Sequence, residues 1–476
     1  MTFLEIEHKS RALREKIRNA KPELDIKGTT YYVSADGDDN NDGLSPETAW
    51  KSIDAVDNNS DKLNVGDAVL FRCGDIFRPL KLRRRGLLMK PGVTYSSFGE
   101  GAKPDLRAYN VDGTTLDWKY EGNNIYSITL DHQFDIGNII FDGDKEWGYK
   151  LVKGQDENLT PQLDLEYYHD IVGYKLYLCS EKGNPKERWN TIDIGSLYNM
   201  FSASDECRPT GAVVDGIAFR YTGGFGIGFG TVDYPVSGGI YNYGFTDFTV
   251  RNCEFEWIGG SLQGDVTKST IRFGNGFEIW GGCDNLKVYN CYFNQCYDAA
   301  LTQQFNGCMS NDIPVTVTNC VFSGNLFENN TYDYEYFLTE FDENRKHKAD
   351  TGFGFYDVVF ENNICRKNGY GFGNQRPDRY TPSCLKSWAG HQNKSKNFVI
   401  RNNIFDRADY LLIQIAAAAG EKYLPTLDGN VYCQYEKKGW IHAINGKPAS
   451  TFDRDTMKCP TANYAEENAI TVKPTR

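Results

Sequence analysis

Residues 286–293 read "LKVYNCYF". Apolar side chains occupy the first and third positions, an Asn-Cys pair follows, and an aromatic closes the stretch. Alternation at period two describes a strand with one buried face, and the Asn-Cys pair bends the chain into a second strand. The pattern recurs in "FTVRNCEF" (248–255), "VTVTNCVF" (315–322), "VVFENNIC" (358–365) and "FVIRNNIF" (398–405). "AVVDGIAF" (212–219) and "PTLDGNVY" (425–432) extend the series in degenerate form.

Asn252, Asn290, Asn319, Asn362 and Asn402 are expected to stack as one column, with Cys253, Cys291, Cys320, Asn363 and Asn403 beside them. Asparagine tolerates left-handed backbone, and a buried amide can bond from rung to rung. Coils that bury an inner face only against their neighbours form a solenoid. The expected fold is therefore all-β, a right-handed parallel β-helix. Counted from Gly216, successive bends lie 36, 38, 29, 43, 40 and 27 residues apart. A minimal coil needs about 20–25 residues, so several coils carry insertions.

Composition agrees. Aromatics reach 14% and there are 47 Gly, which favours many short strands joined by turns. A net charge of −12 argues against a nucleic-acid binder, whose footprint would be basic. No window approaches the roughly 18 apolar residues of a membrane span. "MTFLEIEHKSRALREKIRNAK" (1–21) lacks the apolar core of a signal peptide. It reads as an amphipathic capping helix with Phe3, Ile6, Leu13 and Ile17 near one face. Three stacked thiols cannot all pair with one another, so they are read as reduced, which points to the cytoplasm.

"YYVSADGDDNNDGLSPETAWKSI" (31–53), "LNVGDAVLFRCGDIFR" (63–78) and "YSSFGEGAKPDL" (95–106) resemble the opening of pectate-lyase-like parallel β-helix proteins. The resemblance covers most of the chain from about residue 29 and implies a carbohydrate-active protein on that fold. The superfamily spans lyases, hydrolases, transferases and tailspikes, so the reaction has to come from the site. The expected layout is an N-terminal helix over 1–28, first coils over 29–112, an inserted β subdomain over 113–200, and the main β-helix over 201–476. The insert resembles one that some β-helix glycosidases carry over one end of the groove.

The insertions "QGDVTKSTIR" (263–272), "EYFLTEFDENRKHKAD" (335–350) and "NQRPDRYTPS" (374–383) fall at one corner, which marks a binding face. Beside them "FEIWGG" (277–282) aligns with "LKSWAG" (385–390). Phe277, Ile279, Leu385 and Ser387 then point inward, while Glu278, Trp280, Lys386 and Trp388 point outward. Outward tryptophans suit the apolar face of a sugar ring. Glu278 and Asp298 lie on consecutive coils, within the roughly 5–10 Å at which paired carboxylates hydrolyse glycosides. They are the expected catalytic pair, with Asp350 in reserve. Arg272, Asn275, Trp280, Gln303, Arg376, Lys386, Trp388 and His391 are the expected substrate contacts.

"DGDDNNDG" (36–43) has the composition of a calcium loop but lacks the closing bidentate Glu, and reads as a turn. No cofactor motif is present: there is no G-x-x-x-x-G-K-[ST] and no C-x-x-C pair. The leading expectation is a glycoside hydrolase acting on an oligosaccharide from the chain end. A polysaccharide lyase with Lys386 as base and Arg376 as carboxylate partner is the alternative. A glycan-binding β-helix would keep the tryptophans and need no carboxylate pair.

Overall fold

A computed structural model describes the 476-residue chain except residues 80–84, 108–109, 132, 204–208, 231–244, 309–313, 343, 345, 348–351, 377–380, 389, 437, 445–449, 454, 460–462 and 475–476. Three ten-stranded sheets run the length of the molecule, and strands pair in parallel from coil to coil except at the end of the third sheet. The first contains Thr249–Arg251, Lys287–Tyr289, Val321–Ser323, Val359–Glu361 and Val399–Arg401. The second contains Glu254–Ile258, Tyr292–Cys296, Leu326–Glu328, Ile364–Asn368 and Ile404–Ala408. The third contains Phe277–Trp280, Ala299–Cys308, Tyr332–Phe341, Ser383–Ser387 and Leu411–Ala416. This is a right-handed parallel β-helix. Its interior is stacked aromatic rings: Phe219, Phe255, Phe293 and Phe327 follow one another at 5.0, 4.6 and 5.0 Å.

The bends explain why these strands stop where they do. Asn252, Asn290, Asn362 and Asn402 hold φ between 53° and 56°, the left-handed region that asparagine tolerates. In register with them, Gly216, Gly324 and Gly429 occupy the same corner of other coils, at φ 71°, 65° and 65°.

Asn319 does not belong to this column. Val321 pairs with Lys287 and Val359, which places Gly324 opposite Asn290 and Asn362. Asn319 instead follows a strand of a separate four-stranded sheet, Thr316–Thr318, and stacks with Asn285, Asp357 and Asn397. These four also hold φ between 53° and 56°. Two corners of the coil need the same backbone conformation, and both use Asn, so a local string cannot tell them apart. With Gly324 in place of Asn319, the uneven steps of 29 and 43 become 34 and 38.

The thiol column changes accordingly. Cys253 and Cys291 are neighbours, but Asn325 follows them, while Cys320 lies against Cys283 with the sulfurs 3.6 Å apart. Eleven of the described cysteines are free thiols, Cys253, Cys283, Cys291 and Cys320 among them. From Asn325 the inner column is a buried amide ladder through Asn363, Asn403 and Asn430, closed by the Glu466 carboxylate. Asn403 accepts from the backbone and amide nitrogens of Asn363 and donates to the carbonyls of Phe360 and Asn430. Asn403→Ala should leave several of these groups unpaired and cost about 2–3 kcal/mol of unfolding free energy. Denaturant titration checks this, with a loss under 1 kcal/mol counting against a structural ladder.

The N-terminal helix, Phe3–Arg18, lies along the flank of the second sheet. Ile6 and Ile17 pack on Tyr292, Leu326, Ile364, Ile404 and Val431, one from each successive coil. Between residues 110 and 196 the chain forms two antiparallel or mixed sheets with a hydrophobic cluster of their own, including Ile139, Phe141, Tyr167 and Trp189. Among the described residues no helix is long and apolar enough to cross a membrane. The Asp side chains of residues 36–43 serve local turns: Asp39 accepts from the Lys51 and Ser52 amides and Asp42 from Leu44. Among the described residues no group of three or more His, Cys, Asp or Glu is placed to hold a metal ion.

Candidate active site

Strand register brings the polar residues of the third sheet into one line. Gly228, Glu278, Thr302, Glu335, Lys386 and Gln414 occupy successive rungs. One position earlier along the strands, Ile227, Phe277, Leu301, Tyr334, Leu385 and Ile413 are buried in the core. Period-two alternation therefore sets the Glu278 line on the outer face. Lys386 stands three rungs from Glu278.

Glu278 is half-buried, and Asn275 holds it: the Asn275 amide donates to its carboxylate at 2.5 Å and accepts from the Ala299 amide at 2.7 Å. Burial pushes the Glu278 carboxyl up to about 8, and the charges of Asp298 and Glu335 push the same way against the Asn275 bond. Glu278 is thus an acid that keeps its proton near neutrality.

Asp298 precedes the strand Ala299–Cys308, and its backbone amide donates to the Gly274 carbonyl at 3.2 Å. Arg376 donates to its carboxylate, and both side chains are largely shielded from solvent. The preceding residue, Gln375, is clamped. Its amide donates to the Gly148 carbonyl at 2.9 Å and accepts from the Lys150 amide and from Arg272. The strands inserted between residues 110 and 196 thereby fix the arginine that fixes Asp298.

Glu335 is the site residue that sequence reasoning missed. The sequence pattern places it in an insertion at 335–350, whereas the strand Tyr332–Phe341 runs through it. The available signal was the alternation of Tyr334, Tyr336 and Leu338, all buried, which sets Glu335 and Phe337 on the other face. The Glu335 carboxylate accepts from the Trp388 indole. Burial pushes it up to about 7, Asp298 adds to the shift, and Lys386 and Arg376 oppose it.

The remaining expectations divide. Lys386 donates to the Thr381 hydroxyl at 2.8 Å and its ammonium lies 3.8 Å from the Tyr332 ring and 3.6 Å from the Trp388 ring. Trp388 therefore stands on the expected face, with one ring face covered by that ammonium. Trp280 is half-buried, 6.4 Å from Phe337. His391 touches Phe337 and hydrogen-bonds Thr339 at 3.1 Å, and burial lowers it to about 4, a neutral ring.

Two expectations fail on geometry. Gln303 sits in the inward line with Ile279 and Tyr336, accepts from the Tyr334 hydroxyl at 2.8 Å, and faces the core. A single-residue parity error reverses the face of a strand residue. Arg272 donates to the carbonyls of Gly260 and Gly137 and stacks on Tyr297 at 4.3 Å. It is a buried strut between the insert and the coils. Asp350 lies outside the described residues.

No family model matches the chain. A segment of 101 residues is 35% identical to a lacto-N-biosidase of Bifidobacterium longum subsp. longum, covering 20% of this chain and 6% of that protein. Among solved structures, a glycoside hydrolase matches 94% of this chain and 97% of its own at 8% identity, with a TM-score of 0.48. A lacto-N-biosidase from Eubacterium ramulus matches 94% of this chain and 68% of its own at 12% identity, with a TM-score of 0.41. A family 28 exopolygalacturonase of Yersinia enterocolitica matches 94% and 71% at 12% identity, with a TM-score of 0.39.

Proposed function

We propose that this protein is a glycoside hydrolase that cleaves an oligosaccharide on the outer face of the third sheet. The observation that carries the reading is a carboxyl on the outward line of the third sheet, Glu278, held by Asn275 and pushed toward protonation by burial and by Asp298, a carboxylate that Arg376 clamps. Protonation of the leaving oxygen needs such an acid, and the positive charge that grows at the anomeric carbon needs an anion nearby. The Bifidobacterium protein that shares a 101-residue segment with this chain is a lacto-N-biosidase, which supports the same reaction class. The inserted strands meet the coils through Gln375, beside the arginine that holds Asp298, and an insert at that end of the site supports action from a chain end.

The lyase alternative requires Lys386 as a neutral amine to take a proton from carbon. In the structure its nitrogen is held against the Tyr332 and Trp388 rings and donates to the Thr381 hydroxyl, so these contacts would have to be given up for it to reach a substrate carbon. A glycan panel tests the reading. Release of new reducing ends without an unsaturated uronate chromophore is expected. The chromophore would establish elimination, and binding with neither signal would establish a lectin-like protein.

A further inference from the structure

Glu335 and Lys386 are consecutive on the outward line of the third sheet, yet they are only 3% and 1% exposed. Both meet Trp388. Its indole N–H donates to the Glu335 carboxylate, and its ring lies 3.6 Å from the Lys386 ammonium. The ammonium is held in turn by the Tyr332 ring at 3.8 Å and the Thr381 hydroxyl at 2.8 Å. Trp388 follows the strand Ser383–Ser387, where pairing no longer sets the direction of a side chain, and it stays half-buried. These contacts leave its ring few orientations, and a ligand that stacks on a fixed ring gives up little freedom in doing so. Apolar neighbours would support a merely packed tryptophan without the cost of burying two charged groups.

We propose that Trp388 is a stacking platform for a sugar ring beyond the cleaved bond, and that Glu335 is the positioning residue that holds it. The assignment rests on the hydrolase reading above and specifies how its substrate is held. The ligand it fits is a pyranose presenting an apolar C–H face, which the indole covers while the sugar hydroxyls stay in solvent. Two rungs, about 10 Å, separate the backbones of Glu278 and Glu335. A sugar on Trp388 is therefore further along the chain than the one whose bond Glu278 protonates. Its contact is the same before and during bond cleavage, so it contributes to KM and not to kcat. Glu335, bonded to the indole and buried, acts through Trp388 and makes no bond to the substrate.

Kinetics and NMR test this together. Trp388→Ala should raise KM for the panel glycan cleaved fastest by about tenfold while kcat changes far less. Glu335→Ala removes the acceptor of the indole bond and should reproduce that rise in KM. Glu335→Gln keeps an oxygen that can accept from the indole and should restore most of it. If Glu335→Ala does not fold, Trp388→Ala and Glu335→Gln decide. The nitrogen-15 NMR signal of the Trp388 indole, assigned by its loss in Trp388→Phe, needs no turnover. It should persist in Glu335→Gln and shift when the panel glycan is added. A fall in kcat of about 10²-fold or more in Glu335→Gln would make Glu335 a catalytic residue and overturn the assignment. A Trp388→Ala enzyme with the KM of wild type, or cleavage by a protein whose Trp388 signal stays put, removes the platform and leaves the hydrolase reading standing. A protein that cleaves no panel glycan, yet shifts its Trp388 signal when one is added, keeps the platform and loses the hydrolase reading.

Discussion

Glu278→Gln should lower turnover on the natural linkage by about 10²–10⁴-fold, the usual cost of losing a general acid. The amide keeps the size of the carboxyl and can still bond Asn275, so substrate binding should survive and KM should change little. A substrate whose leaving group departs without protonation should recover most of the lost rate. The same variant has a second, independent signature in stability. The folded-state value of Glu278, about 8, lies above its ordinary 4.5. Between those limits the unfolded chain releases a proton that the folded chain keeps, so stability falls as pH rises through this window. Glu278→Gln removes the effect. Its Tm should exceed that of the wild type at pH 8 and match it below about pH 4. Equal Tm values at both pH values, together with near-native turnover, would make Glu278 an ordinary surface residue.

The parts of the fold legible in the sequence are those set by period and by backbone chirality. Alternation at residues 286–289 fixes which side chains enter the core, and Asn290 at φ 54° turns the chain there. Both follow from local chemistry, so both can be read locally. The outward placement of Glu278, Lys386 and Trp388 follows from the same alternation. What local chemistry does not fix is which corner an Asn occupies. Asn319 and Asn290 share their neighbours' pattern and their φ, and only the strand partners of Val321 separate them. Gln303 and Glu335 show the same limit. Each lies in a long strand, and its face depends on where the strand begins, which pairing with the neighbouring coil decides. Arg272 was mistaken for a site residue because its partners, Gly137 and Gln375, lie more than a hundred residues away on either side.

Arg376→Met should damage both stability and activity, and a second substitution should separate the two. Arg376 and Asp298 form a largely buried ion pair, and removing one member of such a pair typically costs about 3–5 kcal/mol because the other charge is left uncompensated. Arg376 also counteracts the upward shift of Glu335. Without it Glu335 binds its proton to a higher pH. Turnover should fall about 10²-fold or more, because Asp298 loses the cation that holds it in place near Glu278. Adding Asp298→Asn to Arg376→Met removes the stranded charge, so the double variant should regain most of the lost Tm. It should not regain turnover, because the anion that offsets the positive charge at the anomeric carbon is gone. Simultaneous recovery of Tm and turnover would mean that the pair serves the scaffold alone, and that Glu278 acts without an anion beside it.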